Sequence, residues 1–198
     1  MDARARGPRT LCVYCGSSNR VPDSHKQAAA RLGRSLAEAG CGLVYGGGRV
    51  GLMGIVADAM IAAKADVIGI IPEFLHDYEV GHTGVTRLEV VDSMHTRKRR
   101  MAELADGFVV LPGGLGTLDE MFEITTWRQL GLHRKPIVVV NQDGYWSPLL
   151  SMIEQMSGSG YLRPEHLGLL RVVDDVDDVL PALAEIPEAD LDVRDKWL

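Results

Sequence analysis

LPGGLGTLDEMFE, residues 111–123, decides the reading of this chain. The apolar run just before it, residues 107–111, has the length and composition of a buried strand, and a segment of helical spacing follows the glycines. The order is strand, tight turn, helix N-terminus. Glycine lets backbone approach a ligand with no Cβ in the way, while the first helical turn offers unpaired N–H groups and the positive end of the dipole. The turn is therefore expected to hold a phosphate through Gly113, Gly114, Gly116 and Thr117, with the acidic residues one turn later facing whatever that phosphate carries.

Outward from this stretch the same alternation repeats. Residues 10–15, 42–45, 67–71, 88–91, 108–111, 136–141 and 169–173 read as strands, most of them apolar on both faces. Between and after them, residues 23–39, 51–65, 94–105, 118–130, 146–156 and 176–186 read as helices; Ser93 is the expected cap of the third and Pro148 sits in the first turn of the fifth. The polar stretch 73–84 reads as irregular. Strands buried on both faces and alternating with helices predict a doubly wound, Rossmann-like α/β fold with a mostly parallel sheet. The expected organisation is one domain over residues 10–186, a loose tail at 1–9 and a frayed end at 187–198.

Composition narrows the function. Hydrophobic residues make up 46% of the 198 and charged residues 24%, and no apolar stretch approaches the roughly 20 residues that span a bilayer. No signal-peptide apolar region follows the basic start, so no membrane association and a cytoplasmic location are expected. A net charge of −6 argues against a broad nucleic-acid surface but leaves room for a local cationic pocket. Cys12, Cys15 and Cys41 are an odd set without a disulfide framework. Cys12 and Cys15, three apart on a strand, point to opposite faces and read as buried small residues. The six histidines form no metal-ligand spacing, and neither metal nor cofactor is expected.

Small residues follow three strands: Gly16, Ser17 and Ser18, then Gly46, Gly47 and Gly48, then the glycine turn. Side by side, they would form one crevice that includes Ser17 and Gly47. Gly46, Gly48 and Gly51 also fit GxGxxG, with Asp66 where a ribose-binding acid is sought; tight helix–strand packing explains the same glycines. SMHTRKRRM, residues 93–101, is sharper. At helical spacing Met94, Met101, Leu104 and Ala105 share a stripe, and Arg97 and Lys98 fall on or beside it. A buried cation needs an anion nearby, unless its stem lies along the core and its head reaches water. On the next helix Leu118, Met121, Phe122 and Thr125 read as the core stripe, and Asp119, Glu120, Glu123 and Thr126 adjoin it. The dipole favours Asp119 where it is, whereas Glu123 one turn later suits general-base work or stabilisation of positive charge on a sugar ring. Trp127 on that face would border a purine pocket or a subunit contact.

These residues resemble the LONELY GUY family of cytokinin-activating phosphoribohydrolases, long mislabelled as possible lysine decarboxylases. The resemblance rests on CGSS at 15–18, YGGGRVGLMG at 45–54, SMHTRKRRM at 93–101 and PGGLGTLDE at 112–120, continuing into TTWRQLG at 125–131. Both family signatures, PGGxGTxxE and MHxRK, are complete. The resemblance implies hydrolysis of the N-glycosidic bond of an N6-substituted adenosine 5′-monophosphate, with Arg97 and Glu120 as the catalytic pair. It also implies that Glu79, Arg97, Lys98, residues 114–120 and Thr126 line the nucleotide and that the chain is a homodimer; Met94 is expected in the same site. The surroundings of Glu79 depart from the family's pattern. A lysine decarboxylase would need a Schiff-base lysine, for which there is no motif. The alternatives are a nucleotide- or molybdopterin-binding carrier without turnover, and a nicotinamide-dependent oxidoreductase.

Overall fold

Apolar runs form strands and segments of helical spacing form helices throughout the residues described by the computed structural model, 10–79 and 81–185. In chain order they are β1 (Thr10–Tyr14), α1 (Asp23–Glu38), β2 (Gly42–Tyr45), α2 (Gly51–Ala62), β3 (Val67–Pro72), α3 (Glu73–Glu79), β4 (Arg87–Val91), α4 (Met94–Leu104), β5 (Gly107–Val110), α5 (Leu115–Gln129), β6 (Ile137–Val140), α6 (Ser147–Gly158), β7 (Arg171–Val173) and α7 (Val179–Glu185). All seven strands lie parallel in one sheet of order β4-β3-β2-β1-β5-β6-β7.

The period of two along each central strand sorts its side chains into two cores. Leu11, Val13, Val109, Leu111, Val138 and Val140 pack beneath α1, α2 and α7, and Cys12, Tyr14, Phe108, Val110, Ile137 and Val139 pack beneath α4, α5 and Trp146. Cys12 and Cys15 fall in opposite cores, as their spacing on a strand requires. The chain winds outward from β1 to β4, returns through α4 to place β5 beside β1, and continues to β7. Strand order therefore reverses between β1 and β5, and a crevice opens beyond their carboxyl ends. There the Gly16 N–H donates to the Pro112 carbonyl at 3.1 Å, joining the first glycine-containing loop to the decisive one.

Four expectations need correction. Residues 73–79 form α3, a short helix with Glu73 suited to the dipole in its first turn; its polar sequence has no stripe to announce it. Helix α5 begins at Leu115 and not at residue 118, because extended Gly114 serves as its N-cap, so Gly116 and Thr117 belong to the helix. Its buried face is Thr117, Glu120, Met121, Ile124 and Arg128, while Phe122 is 38% exposed, since part of this face borders the site. At the chain's end, residues 164–169 form a 3-10 turn ahead of a strand of only three residues, and a 3-10 turn at 176–178 precedes α7. Residue 186 and the predicted tails at 1–9 and 187–198 lie outside the described residues.

Candidate active site at the strand switch point

The crevice holds a cavity of about 320 Å³ whose walls include Ser17, Gly46, Met94, Arg97, Gly114 and Glu120. That volume suits a small ligand. Two glycine motifs reach this region, and their helices differ in one decisive respect. At the start of α2 the Gly51 N–H donates to Asn19 Oδ1 at 2.9 Å and the Leu52 N–H to the Gly16 carbonyl at 2.9 Å. Those donors serve the chain's own loop, which accounts for the GxGxxG spacing by packing. Asp66 precedes β3 and so stands at the opposite end of the sheet, too far to serve as the ribose acid of a dinucleotide site.

Helix α5 is the other case. Among the described residues the N–H groups of Gly114, Leu115, Gly116 and Thr117 have no hydrogen-bond partner, as the first turn of a helix leaves them. Gly114 and Gly116 face open space where a Cβ would project, which suits close approach of a ligand. Gly113 is glycine for another reason: the Thr117 side chain, itself buried, occupies the position its Cβ would take. This turn is a ready anion site.

Ser93 caps α4, its Oγ accepting the Thr96 N–H at 3.1 Å, and four residues after Ser93 Arg97 enters the crevice. Arg97 is 6% exposed. Its Nε donates to the Ile70 carbonyl at 3.1 Å and its Nη2 to the Gly46 carbonyl at 3.1 Å, so the ends of β3 and β2 fix the plane of the guanidinium. Nη1 donates to the Met94 sulfur at 3.8 Å and lies 3.8 Å from Glu120 Oε1. Glu120 is 8% exposed. That distance makes an ion pair without a direct hydrogen bond. The buried cation has its anion, and both line the cavity.

Lys98 turns elsewhere. Its Nζ lies 3.0 Å from Asp119 Oδ2 and 3.2 Å from Glu123 Oε1, tying α4 to α5 outside the cavity wall. Burial works to lower the Lys98 pKa, but the hydrogen bonds to Asp119 and Glu123 outweigh it and hold the ammonium above its ordinary value. Glu123 and Trp127 border a separate groove of about 240 Å³ with His95, Thr96 and Arg99. Thr126 is exposed on α5. Gly47 is buried with its carbonyl accepting the His82 N–H at 3.1 Å, and Glu79 closes α3 with its side chain outside the described ones. The structure thus brings Arg97, Glu120, Met94, Ser17, Gly114, Gly116 and Thr117 to one cavity. Gly47, Lys98, Gly113, Glu123 and Thr126 are not among the residues that line it.

A protein-family model described as "Possible lysine decarboxylase" matches residues 53–183. The cytokinin riboside 5′-monophosphate phosphoribohydrolase of Rhodococcoides fascians is 43% identical over 185 residues, 92% of this chain and 93% of that protein. The rice protein of the same name, LOG, is 45% identical over 157 residues, 79% of this chain and 65% of its own length. The chain belongs to the LONELY GUY family. Among solved structures, a molybdenum cofactor binding protein from Rippkaea orientalis superimposes with a TM-score of 0.67 at 21% identity, covering 87% of this chain and 93% of that one. The molybdenum cofactor carrier protein of Chlamydomonas reinhardtii gives 0.69 at 19% identity, covering 89% and 96%. At such identities these two share the fold.

The LONELY GUY signatures acquire physical meaning in this geometry. PGGxGTxxE runs from the anion turn to the carboxylate, and MHxRK delivers the guanidinium that faces it. No lysine lines the cavity among the described residues, so the decarboxylase description finds no Schiff-base candidate there. Cys15 does line it. Burial first, then the charge of Glu120, pushes its thiol far above the ordinary range, so it stays protonated at neutral pH and is no nucleophile. Among the described residues no helix is long and apolar enough to cross a membrane, and no cluster of three metal-ligating side chains occurs. Sequence reasoning passed over Leu75, which lines the cavity from α3, and Tyr145, whose hydroxyl donates to the Gly113 carbonyl at 2.7 Å. A search of the carboxyl end of β6, where ligand loops gather, would have found Tyr145.

Proposed function

We propose that the protein hydrolyses the N-glycosidic bond of adenosine 5′-monophosphates, N6-substituted forms included, releasing an adenine-type base and ribose 5-phosphate. The observation that carries this reading is the Arg97–Glu120 ion pair in the wall of a cavity that the unpaired first turn of α5 also lines. Relatives at 43% and 45% identity bear the name of that activity. The free N–H groups of residues 114–117 bind the 5′-phosphate and so place the ribose without a cationic side chain. As the C1′–N9 bond lengthens, its electron pair leaves with the base and positive charge grows on the ribose. Glu120 stabilises that charge and takes a proton from the water that attacks C1′, while the departing base takes up a proton from solvent. Arg97, clamped by two carbonyls, holds the carboxylate in place. Ser17 and Met94 complete the wall, and Lys98 orders the carboxylates beside it. Glu79, Glu123, Thr126 and Gly47 belong to the nucleotide's surroundings on the family resemblance.

The protein acts in the cytoplasm as a homodimer, with the groove beside Glu123 and Trp127 near the subunit contact. This part of the reading rests on the family resemblance. The test is to incubate the protein with AMP and with isopentenyladenosine monophosphate and to follow free base and ribose 5-phosphate. Wild type is expected to release both products, and Glu120→Gln to fold with an unchanged circular dichroism spectrum yet lose about a hundredfold or more in kcat. Undiminished turnover by Glu120→Gln would discard the assignment. Tight AMP binding with no release by wild type would replace it with the carrier reading.

A further inference from the structure

The anion turn has a support that neither family signature contains. Tyr145 follows β6, in a loop bent by positive φ at Asp143 and Gly144. Asn141 braces that loop: its Oδ1 accepts the Trp146 N–H at 2.8 Å and its Nδ2 donates to Ser147 Oγ at 3.2 Å. Trp146 is buried and meets the Tyr145 ring edge-on at 4.8 Å between centroids, and His25 meets it from α1 at 5.6 Å. Two rings thus flank Tyr145, a residue still 45% exposed. Its hydroxyl donates to the Gly113 carbonyl at 2.7 Å.

That carbonyl belongs to the same planar peptide unit as the Gly114 N–H, on the opposite side of the C–N bond. Gly114 lines the cavity and its N–H has no partner among the described residues. The unit sits between two glycines, the residues that least restrict rotation of the plane. We infer that Tyr145 is a positioning residue for the 5′-phosphate: by holding the Gly113 carbonyl, it keeps the Gly114 N–H turned toward the ligand. Its hydrogen bond also polarises the peptide and makes that N–H a better donor. Tyr145 does not line the cavity and acts only through the turn.

The inference rests on the hydrolase reading, and the experiment separates the two. For wild type and Tyr145→Phe, kcat and KM are measured with AMP, together with inhibition constants for ribose 5-phosphate and for adenine. The KM for AMP and the constant for ribose 5-phosphate should rise about five- to tenfold, the worth of one hydrogen bond, with the adenine constant unchanged. The value of kcat should stay within about twofold, because the contact serves ground and transition states alike. Unchanged constants for the phosphate compounds would overturn the inference. So would a parallel rise for adenine, which marks general damage to the site. If wild type releases no base, the hydrolase reading falls, and calorimetry of AMP and ribose 5-phosphate binding then decides. Weaker binding by Tyr145→Phe upholds the role of Tyr145, and equal or undetectable binding by both proteins overturns it.

Discussion

At the scale of the residue, the site depends on an atom that is missing. A Cβ on Gly46 would overlap the Nη2 of Arg97, the same nitrogen that donates to the Gly46 carbonyl. The second wall of this space is the Met53 sulfur. Gly46 is thus glycine because the Arg97 guanidinium occupies the place of its Cβ, and its conformational freedom is incidental. Gly46→Ala should keep the fold, since the guanidinium is the far end of a long side chain and can move aside. Once moved, it loses its carbonyl clamp and its aim at Glu120. A misplacement of about 1 Å at a reacting centre costs on the order of a hundredfold in rate, and that is the expected loss in kcat for base release. Thermal unfolding of the same variant should stay within about 3 °C of wild type. A fully active Gly46→Ala would show that the clamp does not set the geometry of Arg97.

At the scale of the element, legibility in the sequence followed burial. Strands β1, β5 and β6 are apolar on both faces because helices cover both faces, so composition alone announced them. Helix α4 declared its inner side through Arg97 among methionines, and Ser93 declared its start. Helix α5 hid its orientation: its apolar residues are spread around the axis and its buried face carries Thr117, Glu120 and Arg128, so a search for an apolar stripe chose Phe122 wrongly. An ionic link joins this helix to α4, Arg97 with Glu120 and Lys98 with two carboxylates. Lys98 is its clearest expression, a largely buried ammonium shared by Asp119 and Glu123. Removing it leaves two carboxylates one helical turn apart with no cation between them. Lys98→Met should therefore cost about 1–3 kcal/mol in urea unfolding, above an exposed ion pair and below a fully buried one. Adding Asp119→Asn should recover part of that loss. Simple additivity of the two substitutions would show that Lys98 and Asp119 do not act together.

At the scale of the whole molecule, the reversal of strand order between β1 and β5 assembles the site from distant parts of the sequence, and the ends of the doubly wound sheet must be held for it to last. One tie spans 144 residues: Arg31 of α1 donates through Nη2 to both carboxylate oxygens of Asp175, at 2.8 and 2.7 Å, just after β7. Asp175 also accepts the Asp177 N–H at 2.9 Å and so caps the 3-10 turn that leads into α7. The backbone N–H of Asp177 first, then the Arg31 guanidinium, hold the Asp175 carboxyl below its ordinary pKa. The sign follows from linkage. A carboxyl with a depressed folded pKa contributes stability that is complete above its unfolded value, about 3.9, and is lost as pH falls through the lower folded value. Asn caps a helical turn about as well as Asp, so Asp175→Asn keeps the cap and removes only the charge. Because the pair is partly exposed, the variant should lose about 0.5–1 kcal/mol near pH 7. The two proteins should converge as the pH falls through the lowered folded value, where the wild-type carboxyl is protonated as well. Urea unfolding followed across that range measures the difference directly. A gap that persists undiminished into acid would mean that Asp175 works through its shape at the cap and not through its charge toward α1.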